Sequence, residues 1–252
     1  MARKPLRPAH HEGGQLNRSD ARQAAPGLSP QDRLDALLAE IRSCVICRES
    51  PRGAPLPHPP RPVVRTRASA RIAICGQAPG VRVHASGVPF TDPSGVRLRA
   101  WLGMDEAEFY DEANVAILPM GFCFPGLTPD GYDRPPRREC APAWRDRLFA
   151  ELGGVQLLFA VGRPAQLWHL GPEFGPNMTA AVADWRRALG RPGRPVVAPL
   201  PHPSWRNNAW LKRNPWFEEQ VLPVYRVLAR AALENRLAQS MDEFRRAGTI
   251  SA

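Results

Sequence analysis

Four short apolar segments, each followed at once by glycine or proline, constrain the fold of this 252-residue chain more than any other feature. They cover residues 71–75, 114–118, 155–161 and 195–200. The stretches between them contain helix-like apolar patterns, which favours strands joined by helical crossovers and so a mainly parallel sheet. The sequence therefore predicts a three-layer α/β/α domain around a central, mainly parallel four-stranded sheet.

The two ends of the chain differ in composition from its middle. Residues 1–30 are rich in Pro, Gly, Arg, Gln and His, which predicts a disordered basic tail. Ser29 and Pro30 then mark a helix start, because Pro suits the first turn. We expect a single domain over residues 31–237, with further helices near 94–102, 137–152, 179–189 and 215–237. The polar segment 238–252 is expected to fray.

The charge balance favours a polyanionic partner. Lys and Arg number 34 against 24 Asp and Glu, a formal net charge of +10. A basic surface attracts phosphate backbones, although an arginine-rich composition alone would give the same charge. No apolar run is long enough to cross a membrane, and the N-terminus lacks the apolar core of a secretory signal. We expect a cytoplasmic protein with reduced thiols and no membrane partner.

Polar residues and one aromatic follow the apolar segments. Because the carboxyl ends of parallel strands meet at one edge, the loops after the first, second and fourth strands should form one site. The candidates are Gln77, His84, Phe90, Asp92, His202, Ser204 and Asn207. An aromatic to stack on a planar ring, an acid to orient water and a histidine to stabilise an anion suit hydrolysis of a nucleoside bond. The chain contains no G-x-x-x-x-G-K-[ST], H-E-x-x-H or G-x-S-x-G motif.

Four cysteines have a layout typical of a metal site. Cys44 and Cys47 form a C-x-x-C, and Cys123 and Cys140 follow far downstream. Four thiolates suit either zinc or an iron–sulfur cluster, while the C-x-x-C alone would also suit a redox pair. The wide spacing of the downstream pair favours the cluster. Cys75 lies inside an apolar segment and is expected to be buried.

Three motifs resemble the uracil-DNA glycosylase superfamily, especially its iron–sulfur families 4 and 5. Gly76-Gln-Ala-Pro-Gly80 is similar to the first motif, and Gly87-Val-Pro-Phe-Thr-Asp-Pro-Ser-Gly95 to the segment that carries a base-stacking Phe. Leu200-Pro-His-Pro-Ser204 is similar to the last motif. The four cysteines match the ligands of the family's 4Fe–4S cluster in order and approximate spacing. The resemblance spans about residues 31–230.

The resemblance implies a DNA glycosylase that flips uracil or a related deaminated base out of DNA and hydrolyses its N-glycosidic bond in base excision repair. Phe90 would stack on the base, His202 would donate a hydrogen bond to the departing base anion, and Asp92 would orient water or stabilise the sugar cation. Gln77, the backbone at Ala78 and Ser204 would contact the substrate. The implied partner is DNA containing a damaged base, bound by a monomer.

The resemblance also implies a loop that enters the DNA and a structural role for the cluster. Trp205 or Arg206 would act as the wedge, with Asn207 among the donors to phosphates. The cluster on Cys44, Cys47, Cys123 and Cys140 would fix the N-terminal helix and the 123–140 segment near the DNA.

Two positions depart from the family pattern. Ala78 lies where some families place a catalytic acid or Asn, and Pro119 lies where family 4 has an Asn that contacts the uracil edge; Asn114 is too early in the strand to replace it. The sequence therefore predicts a broader lesion range. A catalytically silent iron–sulfur protein that binds DNA or senses lesions is the alternative hypothesis, and a redox sensor is a weaker one.

Overall fold

The computed structural model describes residues 27–248. Its centre is a four-stranded parallel sheet in the order β2-β1-β3-β4. The strands are β1 Ile72–Cys75, β2 Val115–Ile117, β3 Leu157–Val161 and β4 Val196–Leu200. The predicted fold class is confirmed. Residues 1–26, most of the expected basic tail, lie outside the described part of the chain.

Helices flank the sheet on both sides. Their bounds are α1 Pro30–Arg42, α2 Ile46–Glu49, α3 Val81–Ser86, α4 Pro93–Leu102, α5 Glu106–Tyr110, α6 Cys140–Ala150, α7 Arg163–His169, α8 Met178–Ala183, α9 Trp185–Gly190, α10 Asn208–Arg213, α11 Leu222–Leu233 and α12 Leu237–Arg246. Short 3-10 turns cover Pro172–Phe174 and Trp205–Asn207, and a π-helical turn covers Phe217–Val221.

Alternate residues of each strand pack into two separate cores. On one face, Ile74 and Phe159 pack with Trp101 of α4 and Tyr225 of α11. The opposite face of the sheet packs against apolar residues of α1, α6 and α7. Burying one such large side chain contributes about 1.5–3 kcal/mol, so both layers stabilise the sheet. Because both faces are covered, the strands are apolar along their whole length, and this made them recognisable.

Local capping explains where helices α1 and α4 begin. Ser29 and Asp32 form a reciprocal capping box at the start of α1, where the sequence predicted a helix. Asp92 caps α4, and Gly103 ends it in the left-handed conformation with φ 65°.

Three sequence-based predictions need correction. The expected helix 179–189 is interrupted at Asp184, and the expected helix 215–237 is a π-helical turn followed by α11. The expected frayed segment 238–252 is wrong as far as the structure describes it, since residues 237–246 form α12. Leu237 and Met241, one helical turn apart, are buried in the same core as α11. This apolar stripe is too short to stand out from its polar neighbours.

Candidate active site

A cleft of about 290 Å³ opens beyond the carboxyl ends of the strands. Five predicted site residues line it: Gln77, Ala78, Phe90, Asp92 and His202. They come from the loop after β1 and the loop after β4, which the parallel sheet brings to one edge. Their roles stay predictions, but the fold places them around one space.

The backbone around Phe90 is held in an unusual conformation. Phe90 has φ 57°, a left-handed value that costs a non-glycine residue about 1–3 kcal/mol. The Tyr110 hydroxyl lies 2.8 Å from the carbonyl oxygen of Pro89 and 3.0 Å from that of Phe90, and donates to this pair. The Phe90 carbonyl also presses on Gly95, where an added Cβ would lie 1.7 Å from that oxygen. These contacts keep the strained segment in place.

The Phe90 ring is fixed at the back of the cleft. It packs edge-on against Phe109, with ring centroids 6.0 Å apart. On its other side it approaches Gly76, where an added Cβ would lie 3.3 Å from the ring. A planar ligand therefore meets an aromatic side chain whose orientation is already set.

His202 is held as a neutral hydrogen-bond donor. The backbone N–H of Ser204 donates to Nδ1 over 3.3 Å, and the Asn207 side-chain amide donates to the His202 carbonyl oxygen over 2.6 Å. Burial lowers the pKa of His202; Arg206 lowers it further, and Asp92 opposes the effect. Because the neutral ring accepts at Nδ1, its single proton lies on Nε2.

Asp92 lines the cleft and also caps a helix. Its Oδ1 accepts hydrogen bonds from the Ser94 hydroxyl at 2.5 Å and from the Gly95 backbone N–H at 3.3 Å, which caps α4. One carboxylate oxygen is thus committed to the helix start. The resemblance implies that Asp92 orients water, and the structure leaves Oδ2 for that purpose.

Gln77 supports the cleft through its backbone as well as its side chain. The Gln77 carbonyl accepts from the Gly121 N–H at 2.9 Å, and the Gly76 carbonyl accepts from Met120 at the same distance. The Gln77 side-chain amide packs on Gly162, where an added Cβ would lie 2.8 Å from Nε2. Gln77 therefore ties the turn after β1 to the segments after β2 and β3.

The predicted DNA-entering residues lie beside the cleft and do not line it. Trp205–Asn207 form a 3-10 turn, and Trp205 is 71% exposed. The Arg206 guanidinium lies 4.6 Å from the centre of the Tyr132 ring, so it stacks on the neighbouring loop. Trp205 is the more prominent candidate wedge, while Asn207 and the Ser204 backbone position His202.

Sequence analysis missed Arg97 and Asp133. Arg97 of α4 reaches the carbonyl oxygens of Pro203 and Ser204 at 3.3 and 3.2 Å, which holds the His202 loop against α4. Asp133, an exposed residue of the long loop between β2 and α6, lines the cleft. Burial raises the pKa of Asp133, with Arg206 opposing and Asp92 adding to the shift. No local motif marked either residue.

Two further residues that the sequence pointed to are His84 and Pro119. His84, one of the candidate site residues, is half-buried on α3 and does not line the cleft; its ring centroid lies 4.3 Å from that of His58. Pro119 lines the cleft at the position where a side-chain amide was expected. Proline offers neither an N–H nor a polar side chain there.

Comparison with protein families shows which family this chain belongs to. The model of the uracil DNA glycosylase superfamily matches residues 64–226. The chain belongs to this superfamily. The match covers all four strands and both loops of the cleft, so the uracil-DNA glycosylase fold and a DNA-glycosylase type of function apply to this domain. Within residues 27–248, no helix is long and apolar enough to cross a membrane.

The four predicted ligand cysteines surround a second, small cavity of this uracil-DNA glycosylase domain. Cys44, Cys47, Cys123 and Cys140 all line it, and all are free thiols. The Phe122 backbone N–H donates to the Cys140 Sγ, and the Trp144 indole N–H donates to the Cys44 Sγ, both over 3.3 Å. N–H groups directed at sulfur favour thiolates, so the donor set fits a thiolate-ligated metal group.

Two of these cysteines, Cys123 and Cys140, would be neutral without a metal. Burial raises the pKa of both Cys123 and Cys140 to about 12, and the neighbouring thiols add to the effect. Metal binding would be needed to hold them as thiolates. In the described residues, no group of three or more His, Cys, Asp or Glu side chains is already arranged to hold a metal ion. Cys75, as expected, is fully buried in β1.

Proposed function

We propose that this protein is a monofunctional DNA glycosylase that hydrolyses the N-glycosidic bond of a deaminated base, with uracil as the first substrate to test. Membership of the superfamily supports the reaction class. The observation that carries the proposal is the pairing of a fixed aromatic ring, Phe90, with a neutral histidine, His202, in one cleft.

The cleft suits a base that has left the duplex. Extruding a base costs a few kcal/mol, least where it is mispaired, as uracil and hypoxanthine are. Stacking on the Phe90 ring returns part of this cost, since a base–aromatic contact contributes about 1–3 kcal/mol. The exposed Trp205 lies next to the cleft, where it can fill the space that the base vacates.

His202 lowers the cost of releasing the base. When the glycosidic bond breaks, negative charge develops on the base, and the Nε2–H of a neutral His202 donates to that anion. The Ser204 N–H keeps the proton on Nε2, so the donor is oriented before the reaction begins. One such preorganised donor typically contributes about 10²–10³-fold to the rate.

Carboxylates complete the chemistry on the sugar side. The sugar becomes positively charged as the base departs, and the cleft carries Asp92 and Asp133 against this charge. Where the walls of the cleft exclude water, the lower dielectric strengthens the attraction between these carboxylates and the sugar cation. The attacking water adds to the sugar carbon from the cleft and gives up one proton to a cleft carboxylate, while the base leaves as an anion that solvent protonates.

The base selectivity is broader than for uracil alone. Pro119 supplies no amide to distinguish the hydrogen-bonding edge of uracil from those of hypoxanthine and xanthine. Substrate choice then depends on stacking and on how readily each lesion leaves the helix. We therefore place all three deaminated bases in the substrate range.

We further propose that Cys44, Cys47, Cys123 and Cys140 hold a 4Fe–4S cluster. The cluster would supply no chemistry to base removal and would act as a structural tie. It would join the C-x-x-C segment to the segment before α6, and so fix the long loop that carries Asp133.

The test is base release from defined oligonucleotides. Protein purified anaerobically is incubated with DNA containing uracil, hypoxanthine or xanthine, and alkali then cleaves abasic sites. We expect strand breaks with the wild type and a loss of about 100-fold or more in His202→Ala. Salt-sensitive binding to damaged DNA without any strand break would instead establish the catalytically silent alternative.

A further inference from the structure

Asp133 is a second carboxylate in the cleft, contributed by a segment far from the recognised motifs. It lines the same space as Asp92 and His202. An added Cβ on Gly80 would lie 3.4 Å from its Oδ2, so the carboxylate faces the turn that follows β1. It therefore lies beside the same turn that contributes Gln77 and Ala78 to the cleft.

The loop that carries Asp133 is internally hydrogen-bonded. The Thr128 N–H donates to the Tyr132 carbonyl at 2.7 Å, and the Arg134 N–H donates to the Gly126 carbonyl at 2.9 Å. Arg206 stacks on Tyr132 and so joins this loop to the His202 loop. Asp133 is presented by an ordered turn, and this is what a catalytic group requires.

The carboxylates of Asp92 and Asp133 differ in the hydrogen bonds that they accept. Asp92 Oδ1 already accepts two hydrogen bonds that cap α4. In residues 27–248, the Asp133 carboxylate makes no hydrogen bond and no ion pair within the usual distances. Asp133 is an exposed residue that lines the cleft, so its carboxylate is open to water there. A carboxylate without a protein partner is the better acceptor for a proton from water.

We propose that Asp133 is the catalytic residue that orients and deprotonates the attacking water, while Asp92 mainly holds α4 and the Phe90 segment. This assignment rests on the proposed glycosylase function. The water oxygen bonds to the sugar C1′ and its proton passes to the Asp133 carboxylate. The C1′–N bond breaks, its electron pair leaves with the base, and His202 Nε2–H holds the resulting anion. Asp133 then returns its proton to solvent, and the base takes one from solvent.

The charged groups around Asp133 give the assignment a pH signature. Asp92 and Arg206 act on its charge in opposite directions, His202 shares the cleft, and burial raises the Asp133 pKa. The working form is the ionised carboxylate, so the rate falls as pH drops through this raised pKa. The acidic limb of the rate profile therefore lies at higher pH than for a free aspartate, whose pKa is about 3.9.

The test compares three variants, two by single-turnover release of uracil and one by thermal stability. Asp133→Asn keeps the shape but not the base, and we expect a loss of about 100-fold or more, with the acidic limb abolished. Asp130→Asn, an exposed position of the same loop, is the matched control and should keep the wild-type rate and profile. Asp92→Ala should lower thermal stability more than Asp133→Asn, since it removes a helix cap that Asn would keep.

Each outcome of this test either supports or overturns the Asp133 assignment. Binding of Asp133→Asn to DNA with an abasic-site analogue at wild-type affinity would exclude a folding defect, and restoration of the acidic limb in Asp133→Glu supports the role. An active wild type together with an unchanged rate in Asp133→Asn overturns the Asp133 assignment alone. A wild type that releases no base from any lesion overturns the proposed function and the assignment with it.

Discussion

The backbone N–H of Ser204 donates a hydrogen bond to Nδ1 of His202 over 3.3 Å. The contact selects the tautomer of the neutral ring, and it depends on a main-chain atom, so the identity of the side chain at 204 does not matter to it. Ser204 has φ −67°, a value that proline shares. This coincidence allows the N–H to be removed with little change in the backbone.

We expect Ser204→Pro to lower base release by about fivefold, because the loss of a hydrogen bond of roughly 1 kcal/mol frees the ring to take the other tautomer. Ser204→Ala keeps the N–H and should retain nearly the full rate. Single-turnover kinetics on uracil-containing DNA measure both variants. Equal rates in the proline and alanine variants would show that the hydrogen bond has no part in the reaction.

Gly95→Ala should destabilise the fold by about 2 kcal/mol, because its Cβ would lie 1.7 Å from the Phe90 carbonyl oxygen. That carbonyl is held by the Tyr110 hydroxyl, so the clash displaces Phe90 as well and lowers activity. Gly153→Ala is the control, since nothing lies within 4 Å of its added Cβ. Urea unfolding measures the change, and a neutral Gly95→Ala would contradict the close packing.

Acid should lower the free energy of unfolding because His169 is buried as a neutral residue. Burial, aided by the neighbouring Arg145, lowers the pKa of His169 to about 3, whereas the unfolded residue titrates near 6.5. Its contribution is fully present above about pH 6.5 and is lost as pH falls, because the unfolded chain binds the proton first. The expected loss is about 2 kcal/mol by pH 5. Urea unfolding at pH 7 and pH 5 should show a smaller difference for His169→Asn than for the wild type.

Cys123→Ser should remove the cluster. Anaerobically purified wild type is expected to be brown and to contain iron, and the variant should lose both colour and iron, because a ligand is missing. Cys75→Ala is the matched control, since Cys75 lies in β1 away from the other four thiols. A colourless wild type that contains zinc would refute the cluster assignment.

The sequence predicted the strands of the sheet because buried strands need apolar residues along their whole length. The strands are buried on both faces, so each segment is continuously apolar and ends in glycine or proline. The short helix α3 has no buried residue and therefore no apolar stripe, so the pattern missed it. In α12, a two-residue stripe of Leu237 and Met241 was hidden among polar neighbours.

The sequence by itself determined that a parallel four-stranded sheet forms, where its strands lie along the chain, and which loops meet at its carboxyl edge. It also placed Phe90, Asp92 and His202 at that edge, because the directions of parallel strands follow from the crossovers. Only the tertiary structure decided that Asp92 is half-committed to a helix cap and that Ser204 sets the His202 tautomer. It alone brought Asp133 into the cleft. Such contacts depend on how loops fold back on one another, and residues distant in sequence carry no local pattern that records their distance in space.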